Sequence, residues 1–142
     1  MKKIILIGKS GSGKTTLTRK LMNEALDYKK TQSIEYCNNI IDTPGEYLEN
    51  RSYYKALLVT SLDADAILLL QDVCDTECYF PPGYAHMFNK PTIGVITKID
   101  MNSQNPEAAS RCLLNAGVEK IYKISAYTGE GLEDLRKYLE YL

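Results

Sequence analysis

Eight residues near the N-terminus, Gly8-Lys9-Ser10-Gly11-Ser12-Gly13-Lys14-Thr15, carry the spacing G-x-x-x-x-G-K-[ST]. The chemistry of that spacing is phosphate binding. Glycines let the backbone wind until successive N–H groups face inward, and the positive end of the following helix adds to the same point. Lys14 would bridge the β- and γ-phosphates, and the Thr15 hydroxyl would ligate Mg²⁺, with Thr16 next in line on the nucleotide side. These residue types specify a nucleoside triphosphate and leave its base open.

Three later motifs address the base and the γ-phosphate. In Asp42-Thr43-Pro44-Gly45 the carboxylate would hold Mg²⁺ through water, and the Gly45 N–H would sense the γ-phosphate; Lys14 and Gly45 are thus the candidate catalytic pair. Thr97-Lys98-Ile99-Asp100 is close to N-K-x-D, in which the Asp accepts two hydrogen bonds from guanine and the Lys stem packs on the base. Ser125-Ala126 fits a short loop that supports guanine O6 through a backbone N–H. Each has a plainer reading: Asp-Thr-Pro-Gly is also a good turn, and Thr-Lys-Ile-Asp could be a solvated loop. Their order, and their places at the ends of apolar runs, favour the nucleotide reading.

The elements that must position these motifs follow from periodicity. Uniformly apolar stretches at 2–8, 66–70 and 92–97 read as buried strands, with a last strand over 120–124. Two short strands, 34–37 and 40–42, flank an Asn38-Asn39 turn. Leu17, Leu21 and Ala25 make one face of a helix ending near Leu26, and Tyr54, Leu57, Leu58 and Leu62 mark a second. A third starts near Pro106 and stops before Gly117. The last lays Leu132, Leu135, Leu139 and Leu142 along one side. Alternating strands and helices predict an α/β three-layer sandwich, a mostly parallel sheet of five or six strands with helices on both faces. Ligands of such sheets sit at the carboxyl ends of strands, where every motif above falls.

Bulk properties narrow the class. The 142 residues suit one domain, with 44% hydrophobic and 25% charged residues and a net charge of −1. The scattered basic residues argue against a nucleic-acid or anionic-membrane surface. No apolar stretch approaches the roughly 20 residues that span a bilayer. The first residues lead straight into a strand, so no signal peptide is expected and the setting is cytoplasmic. There Cys37, Cys74, Cys78 and Cys112 should be free thiols and not metal ligands.

Taken together, the motifs resemble a small GTPase domain of the Ras and Era type over the whole chain. More narrowly, Phe80-Pro81-Pro82-Gly83-Tyr84-Ala85, Asn89-Lys90-Pro91, Ile96–Asp100 and Ser125–Gly131 are similar to the EutP/PduV family of bacterial ethanolamine and propanediol utilisation. The resemblance implies a bacterial microcompartment as the setting. It leaves two activities open: slow GTP hydrolysis, or acetate kinase-type transfer between ATP/ADP and acetate or acetyl phosphate. A catalytically weak adaptor is a third reading.

Departures from the small-GTPase pattern set further expectations. Thr97 stands where that pattern has Asn, so an amide that braces the phosphate loop should be missing. Glu46 stands where an attacking water would be oriented by Gln, so hydrolysis should be slow. The polar loop before Ile34 carries one threonine, Thr31, as the candidate second Mg²⁺ contact. Arg51 is the arginine best placed to approach a γ-phosphate, or a solvated side chain. Phe80–Ala85 is either a stiff cover over the sheet or a segment holding Phe80 and Tyr84 out for a shell protein or partner enzyme.

Overall fold

The computed structural model describes residues 3–21, 35–37, 40–101 and 106–141. Its strands are β1 (Ile4–Ile7), β2 (Glu35–Cys37), β3 (Ile40–Asp42), β4 (Ala66–Asp72), β5 (Thr92–Thr97) and β6 (Ile121–Lys123). The helices are α1 (Lys14–Leu21), α2 (Glu46–Glu49), α3 (Tyr54–Ser61), α4 (Pro106–Ala116) and α5 (Leu132–Glu140). The strands form one sheet in the order β2-β3-β1-β4-β5-β6. All neighbours are parallel except β2, which pairs antiparallel with β3. Chain order reverses direction across the sheet at β1, which puts a crevice beyond the end of that strand.

The apolar runs alternate between two cores, as the two-residue period of a strand dictates. Ile5, Ile7, Ile41, Ile67, Leu69 and Ile96 face one side, together with Leu57 of α3 and Ala109 and Leu113 of α4. Ile4, Leu6, Ile40, Leu68, Leu70 and Val95 face the other, under Leu17 of α1 and Leu132 and Leu135 of α5. Both faces of β1 and of Ala66–Leu70 in β4 are therefore covered, which explains the lack of polar residues at alternate positions there.

Two expectations are corrected here. Phe80 and Tyr84 are not held out: they are 3% and 4% exposed and belong to the core on the α3–α4 side. Tyr84 packs against Tyr54, Phe80 and Phe88, each with ring centroids 5.5 Å away. Gly83 N–H donates to the Asn115 carbonyl at 2.8 Å, fixing the segment to the end of α4. Phe80, Tyr84 and Phe88 recur every four residues, so a short turn of 3-10 helix at Tyr84–Met87 suffices to turn all three inward. The segment is a cover, and burial in the core rules these rings out as docking anchors. Second, Cys78 and Cys112 are not free but joined by a disulfide. The cover returns the chain onto α4 and brings together two residues 34 apart in sequence. Cys74 is free and exposed.

The chain after Asp42 is also more structured than its periodicity suggests. It forms α2 and a turn of 3-10 helix at Arg51–Tyr53 before α3. Asn50 caps that turn by accepting from the Ser52 N–H at 3.0 Å.

Candidate functional site

The loop between β1 and α1 lies at the crevice. Gly11 and Gly13 have φ of 81° and 102°, a backbone that side-chain-bearing residues adopt only under strain. The Lys14 ammonium, only 5% exposed, donates to the Lys9 carbonyl across the loop at 3.0 Å. Burial pushes its pKa down to about 8, although Asp42 and Glu49 pull the other way. The Lys9 side chain leaves the loop, pairing with Asp75 at 2.9 Å and lying over the Tyr79 ring at 4.9 Å. What Lys9 offers the site is therefore its backbone.

Thr15 and Asp42 meet at the loop's edge, the hydroxyl donating to a carboxylate oxygen at 2.9 Å. Asp42 is 3% exposed because β3 lies next to β1 in the sheet. A hydroxyl and a single carboxylate are hard oxygen donors, and a small divalent cation that keeps waters and takes phosphate oxygens fits them. Among the described residues no group of three or more His, Cys, Asp or Glu could hold a metal without such help. Thr31 lies outside the described residues.

At the other end of the loop is a cavity of about 530 Å³, lined by Gly11, Gly13, Thr16, Thr97, Lys98, Asp100, Met101, Ala126 and Tyr127 among others. The Thr97 hydroxyl donates to the Ser12 carbonyl at 2.6 Å. The amide is absent, as expected from Thr97, and the hydroxyl reaches the loop from the end of β5 in its stead. Lys98 adopts φ of 61° and donates to the Gly11 carbonyl at 2.7 Å and to Asp72 at 2.9 Å. A non-glycine residue with that backbone stores strain, a feature concentrated at functional sites. The Lys98 stem is thereby held along the cavity wall.

Asp100 is exposed at the cavity rim, and the Ser125 hydroxyl donates to one of its oxygens at 2.7 Å. Ser125 is itself fixed. Its N–H donates to the Glu130 carbonyl at 2.9 Å, and its hydroxyl accepts from the Thr128 N–H at 3.1 Å. With the Ser125 N–H already used, Ala126 and Tyr127 are the residues this loop presents to the cavity.

Gly45 and Ser10 meet backbone to backbone. A Cβ on Gly45 would lie 2.1 Å from the Ser10 nitrogen, so only glycine permits this approach. Arg51 and Glu46 are exposed. The fold thus brings together Gly8–Thr16, Asp42, Gly45, Thr97, Lys98, Asp100, Ser125 and Ala126. It adds partners that the sequence reading missed: Asp72, Asp75 and Tyr79, which hold the two lysines, and Glu49, whose carboxylate accepts from the Ser10 hydroxyl at 3.4 Å. The Gln71-Asp72 pair, where an apolar run turns polar at a strand's carboxyl end, was the available signal for Asp72.

The chain is 42% identical over 140 residues to the propanediol utilization protein PduV of Citrobacter freundii, covering 98% of this chain and 93% of that one. It is 33% identical over 142 residues to the probable acetate kinase EutP of Escherichia coli, covering 98% and 89%. Two solved structures share the fold. One is Roco2 RocCORdC of Methanosarcina barkeri bound to GDP, with a TM-score of 0.65 and 19% identity. The other is the bacterial selenocysteine-specific elongation factor EF-Sec, with a TM-score of 0.70 and 23% identity. This chain is 99% covered in both and spans 48% and 28% of them. Residues 1–141 match the PduV-EutP family model, described as ethanolamine utilisation - propanediol utilisation, and the chain belongs to that family.

Proposed function

We propose that this protein binds a Mg²⁺–guanine nucleotide and hydrolyses it slowly, as a GTPase-like component of ethanolamine or propanediol utilisation in a bacterial microcompartment. The observation that carries the reading is the Asp100 carboxylate, set by Ser125 at the rim of a cavity whose strand is tied to the phosphate loop. Two adjacent carboxylate oxygens match the two adjacent donors of guanine. Adenine offers an acceptor at N1, and once a bound base shuts water away from Asp100, leaving one of its oxygens without a donor costs on the order of 1–3 kcal/mol.

Lys14 and the loop's backbone would hold the β-phosphate, and Thr15 and Asp42 would hold Mg²⁺. The cation would neutralise charge on the phosphate oxygens during transfer. Glu46, an exposed carboxylate at the start of α2, is poorly suited to orient an attacking water beside phosphate. That is why slow turnover is expected.

The phosphotransfer named for the EutP relatives is the competing activity. Competitive binding of GTP and ATP, beside an assay for ATP formed from ADP and acetyl phosphate, separates the two. GTP should bind at least about tenfold more tightly, and Asp100→Asn should move the preference to xanthosine nucleotides. Tighter ATP binding with acetyl-phosphate-dependent ATP synthesis would overturn the guanine reading in favour of the kinase.

A further inference from the structure

The phosphate side of the site is closed by the protein itself. Gly45 stands in contact with Ser10, with no van der Waals space between their backbones for a phosphoryl group. One helical turn further on, Glu49 directs its carboxylate back to the same loop residue, accepting from the Ser10 hydroxyl at 3.4 Å. It is near enough to Lys14 to counteract the effect of burial on that ammonium. The Glu49 N–H donates to the Gly45 carbonyl at 3.2 Å, so the backbone contact and the carboxylate belong to one rigid turn. A γ-phosphate needs the same hydroxyl side of the loop and the same ammonium.

We propose that Glu49 is the residue that discriminates between di- and triphosphate, its carboxylate standing on Ser10 in place of a γ-phosphate until α2 lifts. The inference rests on the reading of Gly8–Thr15 as a phosphate loop and names the ligand of the resting site: a nucleoside diphosphate. Both the carboxylate and the γ-phosphate are anions, and neither can share the ammonium with the other nearby without repulsion. Triphosphate therefore binds at the expense of the Gly45–Glu49 contact, whereas diphosphate leaves it in place. A partner that draws α2 away from the loop would favour triphosphate by the same route.

The test is calorimetric titration of the full chain with Mg²⁺ and two pairs of probes, GDP with guanosine imidotriphosphate and ADP with adenosine imidotriphosphate. Using both pairs keeps an error about the base from passing for an error about Glu49. Wild type should prefer the diphosphate of whichever base it binds. Glu49→Gln and Glu49→Ala should each tighten the imidotriphosphate by about tenfold and leave the diphosphate within about twofold. An unchanged ratio of the two affinities in both variants, with diphosphate still bound, would overturn the role of Glu49 alone. Failure of wild type and variants to bind any of the four probes would overturn the phosphate-loop reading and this inference with it.

Discussion

Lys14 combines near-complete burial with an ammonium group, and that conflict has a pH signature. Its pKa of about 8 in the free protein results from desolvation, while the unfolded chain would titrate near 10.5. Between these values the unfolded state binds more protons, so the stability of the nucleotide-free protein should rise as pH goes from about 8 to 10. Nucleotide binding should run the opposite way, because phosphate needs the ammonium and restores its proton. Affinity should be level below pH 7.5 and fall by up to about tenfold per unit above pH 8. Calorimetry at pH 8.5 in buffers of different ionisation heat should register proton uptake on binding, and heats independent of buffer would contradict it. At this scale spacing told the sequence reading which residues belong together, as Gly13 of the glycine-rich loop and Asp100 line one cavity. At Thr97 it showed the loss of an amide but not that the hydroxyl would reach Ser12 instead. Glu49 was invisible because its meaning lies in a contact across 39 positions.

Elements with long regular patterns were legible, and single turns were not. The reading of 92–97 as a strand agrees with β5 to the residue, since six buried positions in a row leave no alternative. The turn Glu46–Glu49 carries too few residues to display a helical period, yet Glu49 at its end accepts from the Ser10 hydroxyl of the glycine-rich loop. In the cover over α4 the two prolines announced an irregular path but not its direction. The four-residue recurrence of Phe80, Tyr84 and Phe88 held that information. The cover also contains a mismatch, since the Tyr84 hydroxyl is buried with no hydrogen-bond partner among the described residues. Burial raises the pKa of this phenol, with the nearby Tyr54 adding to the effect. Tyr84→Phe removes the orphaned group and keeps the ring stack, so it should stabilise the fold by roughly 1 kcal/mol. Urea denaturation should show a higher midpoint at unchanged slope; a clear loss of stability would reveal a partner for the hydroxyl.

For the molecule as a whole, the least legible feature was the Cys78–Cys112 link, because composition and setting argued for free thiols and only the fold brings the pair together. Closing a loop of this length removes conformational freedom from the unfolded chain, an effect of about 3–4 kcal/mol in the chain-entropy account. Reductant should lower the urea midpoint of the wild type accordingly and leave Cys112→Ser unaffected. Equal midpoints for the wild type with and without reductant would contradict the estimate. The link also changes what kind of object the polypeptide is. From Cys78 to Cys112 the backbone is a covalent ring with two tails, one carrying the phosphate loop and the other the Ser125 loop. Strand β5 and Lys98-Ile99-Asp100 lie on the ring itself. A single proteolytic cut within that ring opens it into two chains crossed at the disulfide, a four-armed molecule of unchanged mass apart from one added water. Such a nicked protein would migrate as one species in denaturing electrophoresis and separate into two only after reduction.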